Sequence, residues 1–351
     1  MATMELQSSK LLACAHDATQ KKGRMGLTRI QWCTYTWNPW RGCRKVSPGC
    51  EHCYIDRTPI FRITKQKHTD RVKGSEATLH APFKWNRKPW ICDGCGAAVS
   101  DKITHMVDRP ACEQWCTPSG PPENRVMLLP FHRARVFLGS LMDIFDDEIP
   151  IEWFADALDT VRQCAELDWL LVSKRPELWK ERTARVMNLQ SGQEASTENF
   201  DFVQWLNGWL SGNRVPKNVW VITSAENQEY LEKRVPELLK IPAVVHGISA
   251  EPLLGPLDLS QVARTLWCIV GGESGPNARP CNVEWLRSIQ AQCKAAGVAY
   301  FCKQLGHNVV FDDPGEPGGI SSPGKLKNKK GGDPSEWPED MRVRQWPEVR
   351  R

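Results

Sequence analysis

The stretch Trp169-Leu170-Leu171-Val172-Ser173-Lys174-Arg175-Pro176 is a short apolar run that ends in a polar cluster. The run Trp169–Val172 is apolar on both faces, which is typical of a strand buried in a parallel sheet. Six further β-type runs recur along the chain: Arg29–Trp37, Val136–Leu138, Val219–Ile222, Val244–Ile248, Trp267–Val270 and Val298–Phe301. Amphipathic stretches that indicate helices lie between many of them, such as Ile151–Leu167 and Val283–Ala296. This alternation predicts an α/β fold, a partial (β/α)6-7 TIM-like barrel.

Two regions depart from this rhythm and divide the chain. Residues 60–130 hold Lys, Arg, Pro and four Cys with little periodicity, so we interpret them as a Cys-rich insertion in the barrel. The predicted organisation is a flexible leader at 1–28, a barrel at 29–305 and a tail at 306–351 that docks on the barrel through Trp337 and Trp346.

Composition narrows the class of protein. The charged share of 25% and hydrophobic share of 41% are ordinary for a globular chain, and the net charge of +5 permits a polyanionic partner without requiring one. No stretch approaches the roughly 18 apolar residues of a membrane span, so we expect no membrane association and a cytoplasmic location. Fourteen Cys in such a chain favour metal binding or catalysis over disulfides.

The first cysteine motif follows the first predicted strand and has the spacing C-x6-C-x2-C: Cys43, Cys50 and Cys53, with Tyr54 directly after. Three loop thiolates can hold three irons of a [4Fe-4S] cluster and leave the fourth iron open to chelate S-adenosylmethionine. The alternative is a structural zinc site that takes His52 or Cys33 as its fourth ligand.

The second cysteine motif has the spacing C-x2-C-x16-C-x3-C and consists of Cys92, Cys95, Cys112 and Cys116. Two close pairs across such a gap predict a structural zinc site that stabilises a small insertion without a core of its own. His105 is an alternative ligand, and an auxiliary iron–sulfur cluster is the competing interpretation.

Several stretches resemble known families. The C-x6-C-x2-C-Tyr motif is similar to a widened form of the C-x3-C-x2-C-aromatic signature of the radical S-adenosylmethionine (radical SAM) superfamily. The body of the chain also resembles a family of phage and bacterial proteins described only as phage proteins, and in part the spore photoproduct lyase branch, which works on thymine in DNA. The stretches that carry this resemblance are 36–39, 45–50, 173–176, 249–257 and 271–276.

The resemblance implies a barrel of the radical SAM type and a set of roles at its strand ends. Tyr54 would contact the adenine, Ser140 and Asp143 the amino group or ribose, and Lys174 the carboxylate. The ribose hydroxyls would be bound by Ser224, Glu226 and Asn227. Apart from the resemblance, their places at strand ends favour a substrate pocket lined by Glu251, Glu273, Lys303 and Gln304. Cys302, also at a strand end, would return a hydrogen atom to a substrate radical. The structural alternative for each charged residue is a helix cap or a solvated loop end.

Three functions remain open from the sequence. The first is a radical SAM enzyme of the isomerase or lyase type that acts on a nucleic-acid base, such as a modified thymine in phage DNA. It would receive electrons from flavodoxin or ferredoxin in a bacterial or phage-infected cell. The second is a non-enzymatic zinc protein that assists nucleic-acid binding. The third is a metal-dependent hydrolase that uses Asp143, Glu226 and Glu251, against which the lack of a His-rich set argues.

Overall fold

The structure is a computed structural model that describes residues 27–92, 97–100, 102, 131–192, 196–260, 266–311, 322–323 and 326–349. Its strands are β1 Tyr35–Trp37, β2 Trp40–Arg41, β3 Val72–Lys73, β4 Trp90–Cys92, β5 Ala98–Val99, β6 Phe131–Arg133, β7 Arg135–Leu138, β8 Asp168–Ser173, β9 Val219–Ser224, β10 Val245–Ala250, β11 Leu266–Gly271, β12 Cys281–Asn282, β13 Tyr300–Gln304, β14 Val309–Phe311 and β15 Ser322–Pro323. Its α-helices are α1 Pro59–Thr64, α2 Glu76–Leu79, α3 Ala81–Asn86, α4 Ile151–Gln163, α5 Trp179–Ser191, α6 Thr197–Leu210, α7 Gln228–Leu238 and α8 Val283–Ala296.

The main sheet contains seven strands in the order β1-β7-β8-β9-β10-β11-β13, and every neighbouring pair is parallel. It curls into a half-barrel, so the prediction of an α/β fold with a partial barrel is confirmed. The radical SAM type of barrel stays a prediction. Each of the seven apolar runs overlaps one strand of this sheet. The first strand is shorter than the run Arg29–Trp37, because Thr28 N and Cys33 N donate to Thr34 O and Ile30 O in turns before the strand.

The two faces of the sheet bury different cores. The outer face packs against helices, including Leu158 of α4 and Leu286 of α8. The inner face carries an aromatic cluster in which the ring of Trp267 lies 5.8 Å from Trp220 and 6.2 Å from Phe301, in edge-to-face contacts. Side chains of a strand point alternately to the two faces of the sheet, so each strand contributes to both cores. The aromatic cluster fills the half-barrel below its carboxyl edge.

A segment near the C-terminus covers the free edge of the sheet at β13. Cys302 N donates to Val343 O at 2.9 Å, and Gln345 N donates to Tyr300 O at 2.8 Å. The indole of Trp346 then donates to Trp32 O at 3.3 Å, just before β1. Trp337 is also buried. Residues 343–346 therefore join the last strand of the sheet to the segment that precedes the first.

The described part of the Cys-rich insertion forms small elements beside the barrel. Helices α1 to α3 and strands β4 and β5 lie here, and β4 pairs with β6, just after the insertion, in the antiparallel sheet β5-β4-β6. The ring of Trp85 stacks on Tyr35 with a centroid distance of 4.4 Å. Within the residues that the structure describes, no helix is both long and apolar enough to cross a membrane.

Candidate functional site: a cysteine-lined cavity at the carboxyl edge of the half-barrel

A cavity of about 210 Å³ opens at the carboxyl edge of the half-barrel, where the chemistry of parallel barrels is found. Twelve of the residues predicted to bind the cluster, S-adenosylmethionine or the substrate line it: Cys43, Cys50, Cys53, Tyr54, Ser140, Asp143, Lys174, Ser224, Glu251, Glu273, Lys303 and Gln304. Because the carboxyl ends of parallel strands meet at one edge, polar clusters far apart in the sequence come together here.

The cysteine loop, defined here as residues 42–54, brings all three motif thiols to this cavity. It begins at Gly42, whose φ of +101° and close approach to Asp70 O leave no room for a side chain. Cys43 N then donates to His68 O at 2.9 Å. Cys50 ends a short 3₁₀ turn that starts at Pro48.

Cys43 lies beside a buried ion pair. The guanidinium nitrogens of Arg175 lie 3.7 and 3.9 Å from Cys43 Sγ, and Arg175 also pairs with Asp143 at 3.1 Å. Burial raises the pKa of the Cys43 thiol to about 12; Asp143 adds to the rise and Arg175 opposes it. Burial likewise raises the pKa of Cys53.

Asp143 organises the ends of two neighbouring strands. Its carboxylate accepts hydrogen bonds from Ser173 Oγ at 2.6 Å, Lys174 N at 2.8 Å and Phe145 N at 3.0 Å. Together with Arg175, these donors occupy both oxygens. The Asp143 carboxylate therefore joins the loop after β7 to the end of β8.

Glu226 follows β9 and is fully buried beneath the cysteine loop. Its Oε1 accepts from Gly49 N at 3.2 Å, and its Oε2 lies 2.8 Å from Arg234 and 3.8 Å from Lys174. Burial alone would raise the pKa of Glu226, but Lys174, Arg234 and hydrogen bonds, one of them with Ser47, together lower it below its ordinary value.

Glu273 follows β11 and contacts the same loop from another direction. His52 Nδ1 lies 3.0 Å from Glu273 Oε2, and Arg279 holds both carboxylate oxygens, with Nη2 at 2.6 Å from Oε1. Burial opposes ionisation, but the hydrogen bonds from Arg279 and His52 lower the pKa of Glu273. Arg57 adds a further link, because it donates to His52 O and Ser274 O.

Two further groups complete the cavity wall. Tyr54 donates its hydroxyl to Ser140 O at 2.5 Å, and the Ser140 hydroxyl accepts from Asn38 at 2.9 Å. Lys303 Nζ pairs with Glu251 Oε1 at 2.7 Å on the wall of the same cavity. The cavity therefore combines thiols, hydroxyls and paired charges.

Three predicted residues do not line the cavity. Cys302 is buried in the outer core, because it lies on the opposite face of β13 from Lys303. Asn227 caps α7, because its side-chain oxygen accepts a hydrogen bond from Tyr230 N at 3.1 Å. Glu226 is separated from the cavity by Gly49, whose N–H donates to its carboxylate. The helix-cap alternative therefore describes the observed contact of Asn227.

The second cysteine motif is described only in part. Cys92 is buried at the end of β4, whereas Cys95, Cys112, Cys116 and His105 lie outside the described residues. The zinc prediction therefore stays a prediction. The alternative fourth ligands of the first motif have other contacts: His52 contacts Glu273, and Cys33 Sγ lies 4.0 Å from Ile30 O.

In the described ranges, no three His, Cys, Asp or Glu side chains are gathered closely enough to hold a metal ion. The donor set of the cysteine loop nevertheless fits a cluster, because three free thiols face one cavity and thiolates are the usual ligands of iron–sulfur centres. Arg175 supplies a positive charge beside one of them.

Sequence reasoning did not single out Arg175, Arg279 or Arg57 as site residues. The signal for Arg175 is its place in Ser173-Lys174-Arg175-Pro176 at a strand end. No local pattern marks Arg57 or Arg279, because their contacts to Ser274 O and Pro48 O span 217 and 231 residues.

The fold and the site define an α/β half-barrel with a cysteine loop over its carboxyl edge. A family model described as "Protein of unknown function (DUF5131)" matches residues 27–333, and the chain belongs to that family. A search of curated proteins and a search of solved structures found no match.

Proposed function

We propose that this protein is a radical SAM enzyme that binds a [4Fe-4S] cluster through Cys43, Cys50 and Cys53. The observation that carries the proposal is that these three cysteines line one cavity together with polar residues from the ends of six barrel strands, β7, β8, β9, β10, β11 and β13. When bound, the cluster would supply the electron that cleaves S-adenosylmethionine.

The residues of the chain would bind, orient and shield the reacting groups. Tyr54, Ser140, Lys174 and Ser224 line the cavity and would contact S-adenosylmethionine. Asp143 is fully engaged with its neighbours, so it would act by holding Arg175 beside Cys43. The aromatic cluster on the inner face closes the cavity from below and would help to exclude water.

The substrate side of the cavity would include Glu251 and Lys303. Their ion pair places a donor and an acceptor side by side, which suits the polar edge of a nucleic-acid base. We further propose that the substrate is a nucleic-acid base, that the reaction is of the isomerase or lyase type, and that flavodoxin or ferredoxin donates the electron.

The proposed location is the cytoplasm of a bacterial or phage-infected cell. We also propose that Cys92, Cys95, Cys112 and Cys116 bind a structural zinc ion.

The test is anaerobic purification followed by iron, sulfide and zinc analysis of wild type, Cys50→Ala and Cys164→Ala. Cys164 is a buried thiol of the outer core, so its variant controls for the loss of a cysteine. We expect about four irons per chain in wild type and Cys164→Ala, and loss of iron in Cys50→Ala. Addition of dithionite and S-adenosylmethionine to the wild type should then release 5′-deoxyadenosine or methionine.

A wild-type protein that carries zinc and no iron after anaerobic purification would reject this proposal. The non-enzymatic zinc protein that assists nucleic-acid binding would then take its place. Iron bound equally by wild type and Cys50→Ala would show that the cysteine loop is not the site.

A further inference from the structure

The cysteine loop starts at one edge of the sheet but is held by carboxylates from strands further across it. Glu226 follows β9 and Glu273 follows β11, which are separated from β1 by two and four strands in the sheet. The loop therefore spans the mouth of the half-barrel, and its far side depends on contacts that β1 cannot supply.

Glu226 holds the residue that precedes Cys50. Its Oε1 accepts the hydrogen bond from Gly49 N at 3.2 Å, and a Cβ at Gly49 would lie 2.9 Å from that same oxygen. Arg234 fixes the other carboxylate oxygen at 2.8 Å. The carboxylate is thus immobilised, and the loop fits against it only with glycine at position 49.

Glu273 holds the residue that precedes Cys53. Its Oε2 lies 3.0 Å from His52 Nδ1, and Arg279, bound to the same carboxylate, donates to Pro48 O at 2.9 Å. Arg279 and His52 together occupy both oxygens of Glu273. Both oxygens of the Glu273 carboxylate therefore contact the cysteine loop or the arginine that binds it.

We infer that Glu226 and Glu273 are positioning residues that hold Cys50 and Cys53 over the cavity. Each carboxylate is buried, is fixed by an arginine of its own and contacts the residue next to one thiol. What the thiols bind rests on the proposed function, whereas the restraint of the loop does not. Glu273 also lines the cavity, so this role is added to the place in the substrate pocket expected from the sequence.

The first measurement is hydrogen exchange of residues 42–54 in the full-length, iron-free chain. We expect Glu226→Gln, Glu273→Gln and Gly49→Ala to exchange about tenfold faster than wild type across this loop. Two matched controls should exchange like wild type: Glu237→Gln, which removes an exposed ion pair with Lys240, and Gly255→Ala, whose added Cβ meets nothing within 4 Å.

The second measurement is the rate of iron loss to a chelator after anaerobic reconstitution. Residues that orient metal ligands commonly change metal retention by tenfold or more. We therefore expect iron to be lost about tenfold faster from Glu226→Gln, Glu273→Gln and Gly49→Ala, and at the wild-type rate from both controls. Gly49→Ala leaves both carboxylates intact, so it tests the contact between the loop and Glu226 even if Glu226→Gln fails to fold.

The outcomes separate the two proposals. If the loop exchanges hydrogen at the wild-type rate in all three folded variants, the positioning role is overturned. It is also overturned if the loop of the variants exchanges faster but the variants lose iron no faster than wild type. A wild type that takes up no iron, with faster loop exchange in the variants, rejects the iron–sulfur proposal and supports the restraint of the loop by the two carboxylates.

Discussion

At the scale of single residues, the buried guanidinium of Arg175 connects three parts of the site. It pairs with Asp143 at 3.1 Å, donates to Arg44 O at 2.9 Å and lies beside the sulfur of Cys43. Cys43 and Arg44 belong to the cysteine loop and Asp143 follows β7, so Arg175, at the end of β8, links the cysteine loop to the ends of β7 and β8.

We predict that Arg175→Gln lowers the free energy of unfolding by about 3–5 kcal/mol, because it leaves the buried Asp143 carboxylate without its charged partner. Arg44→Gln is the matched control, since Arg44 forms only exposed ion pairs with Asp147 and Glu148 and should cost at most about 1 kcal/mol. Urea unfolding measures both, and equal losses would contradict the prediction.

The same scale shows what the sequence could and could not predict about the site. Lys303 and Cys302 are neighbours at one strand end, yet only Lys303 reaches the cavity, because adjacent side chains point to opposite faces. The run Val298–Phe301 predicts that both residues lie near the strand end, but it does not determine which of the two side chains faces the cavity. The contacts of Glu226 and Glu273 with the cysteine loop depend on tertiary structure and have no local signature.

At the scale of elements, the strands were predictable because buried parallel strands are apolar on both faces. The run Trp169–Val172 matches the core of β8, and the stretch Val283–Ala296 coincides with α8. Asn282 caps that helix by accepting from Glu284 N, and Gly297 ends it at a φ of +68°. The edge contacts of residues 343–346 were not predictable, because this segment shows no strand pattern.

We predict that Trp346→Ala lowers the free energy of unfolding by about 2–4 kcal/mol, because it removes an aromatic contact with Phe301 at 5.0 Å and the hydrogen bond to Trp32 O. Phe200→Ala is the control, since Phe200 is 63% exposed and its loss should cost at most about 0.5 kcal/mol. Chemical denaturation distinguishes the two. A Trp346→Ala variant as stable as Phe200→Ala would show that the edge contact adds no stability.

At the scale of the whole molecule, buried carboxylates govern the response to acid. Burial opposes the ionisation of Glu226, but Lys174, Arg234 and hydrogen bonds together hold its pKa below the ordinary value of 4.5. The ionised group therefore stabilises the fold above about pH 4.5, and this contribution is lost as the pH falls through the folded-state pKa.

We expect the unfolding free energy of wild type to fall as the pH is lowered from about 5 to about 3, and to fall less steeply in Glu226→Gln. Glu237→Gln serves as a control on the surface and should keep the wild-type slope. Urea titrations at a series of pH values provide the measurement. Parallel curves for wild type and Glu226→Gln would contradict the assignment.

The hydrogen bond from Trp346 to Trp32 joins positions 314 residues apart. Such a contact has a high loop-closure cost and cannot form until residue 346 has left the ribosome. During synthesis, the β13 edge and the aromatic interior of the half-barrel would therefore remain uncovered after the seven strands of the sheet are already available to fold. Exposed strand edges and apolar surface recruit chaperones or aggregate, so this protein should depend on protection until residues 343–346 have been made.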